Sequence, residues 1–260
     1  MLSLRCRTAK IKSRDQPVQN PMRRRPCEDP LKLIPRLLTR MNSIWVSRTY
    51  PFASIGRNVS LHFTSEVSRQ RATRISIGNS VAVKEHAWLN VATDDPTGEP
   101  TIVIEDNCVI AIGSILTARN QIHLERSVNV AQQVLISDHN HAYEDIEKAI
   151  LRQDITEGGR IRIGEGSWIG HGAVILCSRG ELTIGRHCVI AANSVVMQSV
   201  PDYSVVFGVP ARIIRQYDPE TQVWRMGRRR VAGDAERHST MGRPGEERET
   251  IRSVTPRWRA

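Results

Sequence analysis

The sequence predicts an all-β fold, a parallel β-helix built from six-residue units. The first observation is an aliphatic residue at every sixth position. The longest run is Ile104, Ile110, Leu116, Ile122, Val128 and Val134. Shorter runs are Ile77, Val83 and Leu89, then Ile163, Ile169 and Ile175, then Ile184, Ile190 and Val196, and, in outline, Ile55, Leu61 and Val67. Fixed short repeats indicate a solenoid, and a hexapeptide period is typical of a β-helix. A β-sandwich is the alternative, but simple alternation does not keep its register over six consecutive units.

The second observation is a small or compact residue four positions after many of the aliphatic ones. These residues are Val59, Val81, Ala87, Cys108, Ser114, Ser167, Ala173 and Ser194. Three units close one triangular coil with the aliphatic side chain pointing inward, and the corners of such a prism are cramped. Small side chains at the corners therefore agree with the solenoid prediction.

The third observation is that turn-forming segments interrupt the step of six twice inside the repeat domain, which we place at 55–218. Residues 92–101 read ATDDPTGEPT and predict a loop that leaves one corner. Residues 138–161 are longer, open with Asp-His-Asn-His and close with the pair Gly158-Gly159. Long loops in compact folds tend to carry function, so the second loop is the first place to look for chemistry.

The segments outside the repeat have a different composition. Residues 1–30 predict a disordered basic tail, and residues 219–260 predict a second basic tail that is largely disordered. Residues 31–54 predict a capping segment that contains a short amphipathic helix broken at Pro35. We interpret it as a lid over the open end of the solenoid, because the last coil exposes apolar area and strand edges. Contact with a membrane surface is the alternative.

The net charge of +10 is confined to the two ends of the chain. Residues 1–50 hold 12 basic and 3 acidic residues, and residues 219–260 hold 10 and 6, which leaves 15 basic and 18 acidic residues for 51–218. The repeat domain is thus slightly acidic, which argues against a nucleic-acid partner. The tails are interpreted as solvated, and a weak contact with an anionic membrane surface is the functional alternative.

The cysteines and the hydropathy pattern indicate in which cellular compartment the protein is expected. The five Cys have no metal or disulfide spacing, which favours reduced thiols and a cytoplasmic setting. The sequence shows neither a continuous apolar h-region at its start nor an apolar run of bilayer length, so we expect no signal peptide and no membrane span.

Four motifs together resemble the hexapeptide-repeat acyltransferases: ISDHNHAYED (136–145), IGEGSWIGHGAVIL (163–176), TIGRHCVIAANSVV (183–196) and FGVPARII (207–214). Within that family the chain is most similar to sugar O-acetyltransferases of the maltose and galactoside type and of lipopolysaccharide and capsule synthesis. The resemblance implies a left-handed β-helix, a homotrimer, acetyl-CoA bound in a groove between subunits, and a sugar or glycoconjugate acceptor.

The resemblance also implies a histidine general base in the longer loop. A free hydroxyl is a weak nucleophile, and an imidazole can take its proton as it attacks the thioester. His141 is the first candidate and His139 the second. Asp138, Glu144 and Asp145 are candidates to orient the imidazole, and the sequence does not choose among them.

The remaining site residues are also carried over from the family. Trp168 matches the WIG motif near the thioester, with a corner aromatic that covers the coil as the alternative. Asn90 falls where the family has an acceptor-site residue. Arg212 and Arg215 are candidates for the CoA phosphates. Small residues that let the pantetheine arm approach the backbone are Gly172, Ala173, Ala191, Ala192 and Ser194, with corner packing as the alternative.

Two other functions stay open from the sequence. One is a zinc enzyme of the γ-carbonic-anhydrase type, since the chain has His139, His141, His171 and His187 to offer as ligands. The other is a non-catalytic scaffold. The WIG motif and the GVPAR ending go with acyl transfer, so we expect an acetyl-CoA-dependent enzyme and no metal.

Overall fold

A three-sided parallel β-helix follows one N-terminal helix in the computed structural model, which describes residues 33–93 and 98–227. The N-terminal tail predicted for 1–30, residues 94–97 of the first loop and the chain from 228 onward lie outside the described residues. The described part confirms the predicted left-handed parallel β-helix.

Three sheets form the faces of the prism, and we number them I to III in the order in which each coil visits them. Within the described residues, sheet I contains β1 (Ser54–Ile55), β4 (Ile75–Ile77), β7 (Ile102–Ile104), β10 (Gln121–Leu124), β13 (Gly158–Ile163) and β16 (Arg179–Ile184). Sheet II contains β2 (Ser60–Leu61), β5 (Ala82–Val83), β8 (Val109–Ile110), β11 (Asn129–Val130), β14 (Trp168–Ile169), β17 (Val189–Ile190), β19 (Ser204–Phe207), β20 (Arg212–Asp218) and β21 (Val223–Met226). Sheet III contains β3 (Glu66–Val67), β6 (Trp88–Val91), β9 (Ile115–Ala118), β12 (Leu135–Ser137), β15 (Val174–Leu176) and β18 (Val195–Val196).

The core is a stack of aliphatic layers inside the prism. From β1 to β19 the strands that neighbour each other within a sheet pair in parallel, as β4 does with β7, so each coil satisfies its backbone through the coils beside it. The predicted inward residues from Ile77 onward are at most 2% exposed, and the predicted corner residues from Val81 onward are equally buried. Each six-residue unit therefore has two inward positions, one for the aliphatic residue and one for the corner residue. Repeated along the β-helix, they form an aliphatic column and a corner column.

The register corrects one detail of the predicted repeat. The step of six from Ile104 to Val134 is not one column of side chains, because Ile122 pairs with Ile102 and it is Leu124 that pairs with Ile104. Two additional residues at the corner after β9 shift the next coil by two positions. The period survives in the sequence because the aliphatic and corner columns both point inward and both hold apolar residues in this coil.

The helix α1 (Leu33–Thr49) runs without a break, so the predicted interruption at Pro35 is wrong. Pro35 lies in the first turn, where a backbone N–H has no partner within the helix, so proline costs little there. No helix in the described ranges has both the length and the apolar character needed to cross a membrane.

The same helix covers the first strand of sheet II. Ser43 Oγ accepts the N–H of Leu61 at 2.9 Å, and the Leu61 carbonyl accepts Asn42 Nδ2 at 3.1 Å and Ser43 Oγ at 3.2 Å. Val46 is buried against the end of the core. Side chains of α1 therefore satisfy a strand edge that would otherwise be open.

A hairpin closes the other end. The strand β20 turns back antiparallel on β19, and β21 pairs with β20. Asp218 Oδ1 accepts the N–H groups of Glu220 and Thr221 in the connecting turn, and the rings of Tyr217 and Trp224 lie 5.5 Å apart. The strand β21 falls inside the segment predicted as a tail, because these local contacts order a stretch of low aliphatic content.

Candidate active site

The longer predicted loop leaves and re-enters the β-helix at the corner between sheets III and I. It departs at the end of β12 and returns at β13, where the carbonyl of Asp138 accepts the N–H of Gly159 at 2.6 Å. Arg119 and Asn120 of the preceding corner hold its returning arm, since their side chains donate to the carbonyls of Ile155 and Glu157 at 3.0 and 2.9 Å. Both ends of the loop are thus fixed to one corner.

The carboxylate of Asp138 is the most constrained polar group at this corner. It is fully buried. Oδ1 accepts the backbone N–H of Arg119 at 2.7 Å, and Oδ2 accepts those of Asn120 and Gln121 at 2.8 Å each. These donors belong to the corner where the coil gains two residues, so the register shift creates the cradle that holds the carboxylate.

His139 makes the fourth contact of that carboxylate. Its Nδ1 lies 2.9 Å from Asp138 Oδ1, and only 12% of its side chain is exposed. Because both carboxylate oxygens already accept backbone N–H groups, Nδ1 is assigned as the donor of this hydrogen bond. The lone pair of the neutral ring then lies on Nε2, which is the arrangement required of a general base.

The other loop candidates lie apart from this pair. His141 is exposed, and among the described residues its ring has no hydrogen-bond or ion-pair partner, although its backbone N–H donates to Asn140 Oδ1. Glu144 accepts the N–H of Tyr143, and Asp145 pairs with Lys148 at 2.7 Å. Of the three carboxylates that the sequence leaves open, only Asp138 contacts a histidine ring within the described residues.

A polar strip on the outer surface of sheet III leads to this corner. Asn90 Nδ2 donates to Thr117 Oγ1 at 2.8 Å, Thr117 is the register partner of Ser137, and Ser137 Oγ donates to the carbonyl of His139 at 2.7 Å. Strands lie about 4.8 Å apart, so the strip spans roughly 10 Å from Asn90 to Ser137. The sequence does not reveal Thr117 and Ser137, because their alignment depends on the two-residue shift.

Trp168 lies on a different face of the prism. It opens β14 in sheet II and is 48% exposed, whereas the Asp138–His139 pair lies at the corner of sheets III and I. The structure of one chain therefore does not bring Trp168 to the histidine.

The small residues predicted to line a CoA site separate into two groups. Gly172, Ala191 and Ala192 lie at outer corner positions and are partly or fully exposed. Ala173 and Ser194 are fully buried, and Ser194 Oγ accepts the N–H of Gly208 at 3.2 Å. The side chains of Ala173 and Ser194 therefore pack inside the corner and do not reach the surface.

The two arginines predicted for CoA phosphates lie on β20. Arg212 is exposed and its Nη1 donates to the carbonyl of Ala211 at 2.9 Å. The guanidinium of Arg215 lies 5.8 Å from the ring centroid of Trp224. Arg212 thus presents its remaining donors outward, whereas Arg215 is partly engaged.

The histidines considered as zinc ligands do not meet within one chain. His187 stacks on Tyr203 at 5.8 Å, far along the chain from the loop that holds His139. Over residues 33–93 and 98–227, no three or more His, Cys, Asp or Glu side chains gather in a way that could hold a metal ion.

Comparison with known proteins places the chain among acyltransferases. No family model matches the sequence. A probable acetyltransferase of Mycobacterium tuberculosis is 30% identical over 162 residues, which cover 62% of this chain and 49% of that protein. The putative lipopolysaccharide biosynthesis O-acetyl transferase WbbJ of Escherichia coli is 31% identical over 136 residues, which cover 50% of this chain and 68% of WbbJ. The chain thus spans about half the length of the first relative and two thirds of the second.

The fold is shared with AntD, an N-acyltransferase from Bacillus cereus whose structure was solved in complex with dTDP and 3-hydroxybutyryl-CoA. The TM-score is 0.54 at 18% identity, over 70% of this chain and 90% of AntD. Together with the match to WbbJ, the common architecture and the six-residue repeat show that this chain belongs to the hexapeptide-repeat acyltransferase family.

Proposed function

We propose that the protein transfers an acetyl group from acetyl-CoA to a hydroxyl group of a sugar or glycoconjugate precursor, with His139 as the general base. The observation that carries the proposal is the buried Asp138–His139 pair, in which the Nδ1 contact leaves Nε2 to accept a proton. Both relatives are named as acetyltransferases, which supports acetyl transfer, and WbbJ supports an oxygen acceptor and a lipopolysaccharide-type substrate.

The reaction needs one proton transfer and one acyl transfer. His139 Nε2 takes the proton of the acceptor hydroxyl while the oxygen attacks the thioester carbonyl carbon. A carbon–oxygen ester bond forms, the carbon–sulfur bond breaks, and the CoA sulfur leaves with the proton that the imidazolium returns. The Asp138 carboxylate holds the ring in one tautomer and stabilises the imidazolium in between.

His139 takes priority over His141 in this proposal, which reverses the preference drawn from the sequence. A base is effective when its ring is held in one orientation, and Asp138 holds His139 while the ring of His141 is exposed. His141 lies two positions further along the same loop and remains the second candidate.

The acceptor and the cofactor are assigned to different surfaces. In the polar strip, half-buried Asn90 and Thr117 offer an amide and a hydroxyl group, which suits a polyhydroxyl acceptor, while the buried Ser137 hydroxyl holds the carbonyl of His139. The outer corner of Gly172, Ala191 and Ala192 offers three small residues, and Arg212 follows it at the end of the β-helix. This donor set fits the pantetheine arm and the phosphates of acetyl-CoA.

A homotrimer reconciles these separated surfaces. His139 and Trp168 lie on different faces of one prism, so a groove that contains both must combine two subunits related by cyclic symmetry. Mixing tests this directly. When inactive His139→Ala subunits are mixed with weakened Trp168→Ala subunits after mild dissociation, mixed trimers regain part of the activity, because some grooves receive the two native residues. Absence of recovery in trimers shown to be mixed would contradict the shared groove.

The central experiment compares the two histidines in a CoA-release assay with a panel of nucleotide sugars and glycosides. His139→Ala is expected to lower kcat by roughly 10²–10⁴-fold, the usual worth of a positioned proton acceptor. The affinity for acetyl-CoA should hardly change. His141→Ala is the matched control and should cost much less.

Each other outcome selects a different function. A loss at His141 with His139 nearly silent would return the base to the residue favoured by the sequence. Activity that requires added zinc and disappears with a chelator would favour the γ-carbonic-anhydrase type. CoA release from neither protein nor variants, together with no measurable CoA binding, would favour a scaffold. We also propose a cytoplasmic location, where acetyl-CoA is supplied and where Cys108, Cys177 and Cys188 keep the free thiols that the structure gives them.

A further inference from the structure

The helix α1 docks on the β-helix through its polar side. The residues that contact the first coil are Asn42 and Ser43 by hydrogen bonds and Val46 by burial, and these lie on one face of the helix. Amphipathic helices of globular proteins usually turn their apolar face inward. In this helix the large apolar side chains are left for the opposite face.

That outward face is a continuous apolar stripe. Its seven large apolar residues range from 42% exposed at Leu38 to 69% at Ile34. At a helical step of 100° they fall within an arc of roughly 140°, centred nearly opposite the docking face. The members are Leu33, Ile34, Leu37, Leu38, Met41, Ile44 and Trp45. We call this set the outer stripe.

The charges around the outer stripe have one sign. The sequence of α1 contains Arg36, Arg40 and Arg48 and no acidic residue. Arg36 and Arg40 line a groove of about 900 Å³ between α1 and the first coils, and Lys84 lines it from the opposite side. The only acidic residue in that lining, Glu85, lies 3.5 Å from His62. Residues 1–32, directly before the helix, hold nine basic and three acidic residues.

We propose that the outer stripe of α1 lies on an anionic membrane surface. An interfacial helix buries its apolar face at the boundary between headgroups and acyl chains, with basic residues at its edges and an aromatic residue at headgroup level. The outer stripe is the apolar face, Arg36 and Arg40 are the basic residues beside it, and Trp45 is the aromatic residue at headgroup level. A helix of 17 residues spans only about 26 Å, so it lies along the surface.

The charges argue against contact between the outer stripes of two copies of this chain. Contact between identical outer stripes would bring the arginines of both helices together with no carboxylate of either helix to pair with them. An anionic lipid surface attracts each basic residue near it, and the preceding basic segment adds to the same effect. This proposal is independent of acyl transfer and does not require the proposed activity.

The experiment is co-sedimentation of the full chain with vesicles of phosphatidylcholine alone and of phosphatidylcholine mixed with phosphatidylglycerol. The native protein is expected to bind the mixed vesicles and to be released by high salt. Met41→Glu, in the centre of the outer stripe, should weaken binding at least tenfold, because it places a negative charge on the apolar face. Met226→Glu is the matched control: Met226 is also exposed, at 76% against 59% for Met41, but it lies on β21 at the other end of the β-helix, and its substitution should leave binding unchanged.

Three results would overturn the proposal. Equal binding of Met41→Glu and native protein would show that the outer stripe does not touch the lipid. Retained binding after Arg36→Gln and Arg40→Gln, in place of the expected loss of about tenfold or more, would remove the electrostatic part. A change in oligomeric state with Met41→Glu, and no difference in vesicle binding, would assign the outer stripe to an interface between copies. Circular dichroism of each variant shows that the fold is retained.

Discussion

Asp106 and Asp138 make the same kind of backbone contact at two corners of the β-helix, but only the Asp138 carboxylate also contacts a histidine ring. Asp106 Oδ1 accepts the N–H of Asn79 in the preceding coil at 2.7 Å, and its carboxylate also receives the Asn79 side chain. Asp138 does the same with three consecutive N–H groups of its preceding coil. Both carboxylates therefore join one coil to the next.

The two corners differ in how deeply the aspartate is buried and in which residue follows it in the chain. The corner of Asp106 is open to solvent, and Asn107 comes next in the chain. Asp138 is fully buried, and His139 follows it with Nδ1 at hydrogen-bond distance. A carboxylate cradled by backbone N–H groups is thus a structural device of this fold. A site arises only where the same device also holds an imidazole and where a loop leaves the corner.

The largest expected effect that separates the two corners comes from Asp138→Asn. Four donors face the carboxylate, and an amide turns its NH₂ group toward some of them whichever way it is placed, so buried donors lose their acceptor. We expect a loss of about 1–3 kcal/mol of stability and a fall in kcat of about 100-fold or more, because the ring of His139 is no longer held.

Asp106→Asn is the matched control for that variant. It should leave kcat unchanged and lower the melting temperature far less, since its corner is exposed and water replaces the lost contact. The double variant Asp138→Asn with His139→Ala should be no slower than His139→Ala alone, because the two residues act as one unit. Additive losses in kcat would show that Asp138 does not act through the histidine.

The second effect concerns how the chain returns to the Asp138 corner. A Cβ at Gly159 would meet Cys177 Sγ at 2.5 Å and the Cys177 carbonyl oxygen at 2.6 Å, and Gly159 is buried. Gly180 is its register partner, and a Cβ there has nothing within 4 Å. Gly159→Ala should therefore cost about 3 kcal/mol and loosen the loop.

Gly180→Ala gives the control for crowding. Gly180 has φ +71°, so alanine adds only the strain of a positive φ, roughly 1 kcal/mol. Chemical denaturation of the two variants measures both values. Equal losses would mean that the close approach at Gly159 relaxes without cost.

The fold was readable from the sequence because its period is carried by every coil. Two inward columns repeat the same residue types, and a solenoid needs only contacts between neighbouring units. The same redundancy concealed the shift after β9: Ile122 and Leu124 are both apolar and both inward, so a step of six continued through the wrong column. Register follows from pairing between coils, which a single sequence does not contain.

The candidate site could be predicted from the sequence only in part, because its geometry also depends on contacts between coils. The Asp-His-Asn-His motif indicated the corner where the structure joins Asp138 to His139, but the sequence reasoning ranked His141 above His139. That ranking depends on which ring reaches a carboxylate fixed by Arg119, Asn120 and Gln121, residues 17–19 positions away in the chain. The small residues could not be sorted by type either, because Ala173 and Ser194 are about as small as Ala192. Only the structure shows that Ala173 and Ser194 face the inside of the corner and Ala192 faces the outside.

The smallest expected effect is the pH dependence of stability from the open corners. The backbone N–H and side-chain amide of Asn79 hold the pKa of Asp106 below its usual 3.8, and the backbone N–H and guanidinium of Arg186 lower the pKa of Asp202 in the same way. A carboxyl whose pKa is lower in the folded state stabilises the fold at pH values above its unfolded pKa, and this contribution is lost as the pH falls through the folded pKa. The melting temperature should therefore decline below about pH 4, and Asp106→Asn should make that decline shallower by a small amount, because exposed groups are screened by solvent. Thermal unfolding followed by circular dichroism from about pH 6 to pH 2.5 measures the slope. An unchanged slope in Asp106→Asn would mean that the contact of Asp106 with Asn79 does not persist in solution and that the cradle holds only where it is buried, at Asp138.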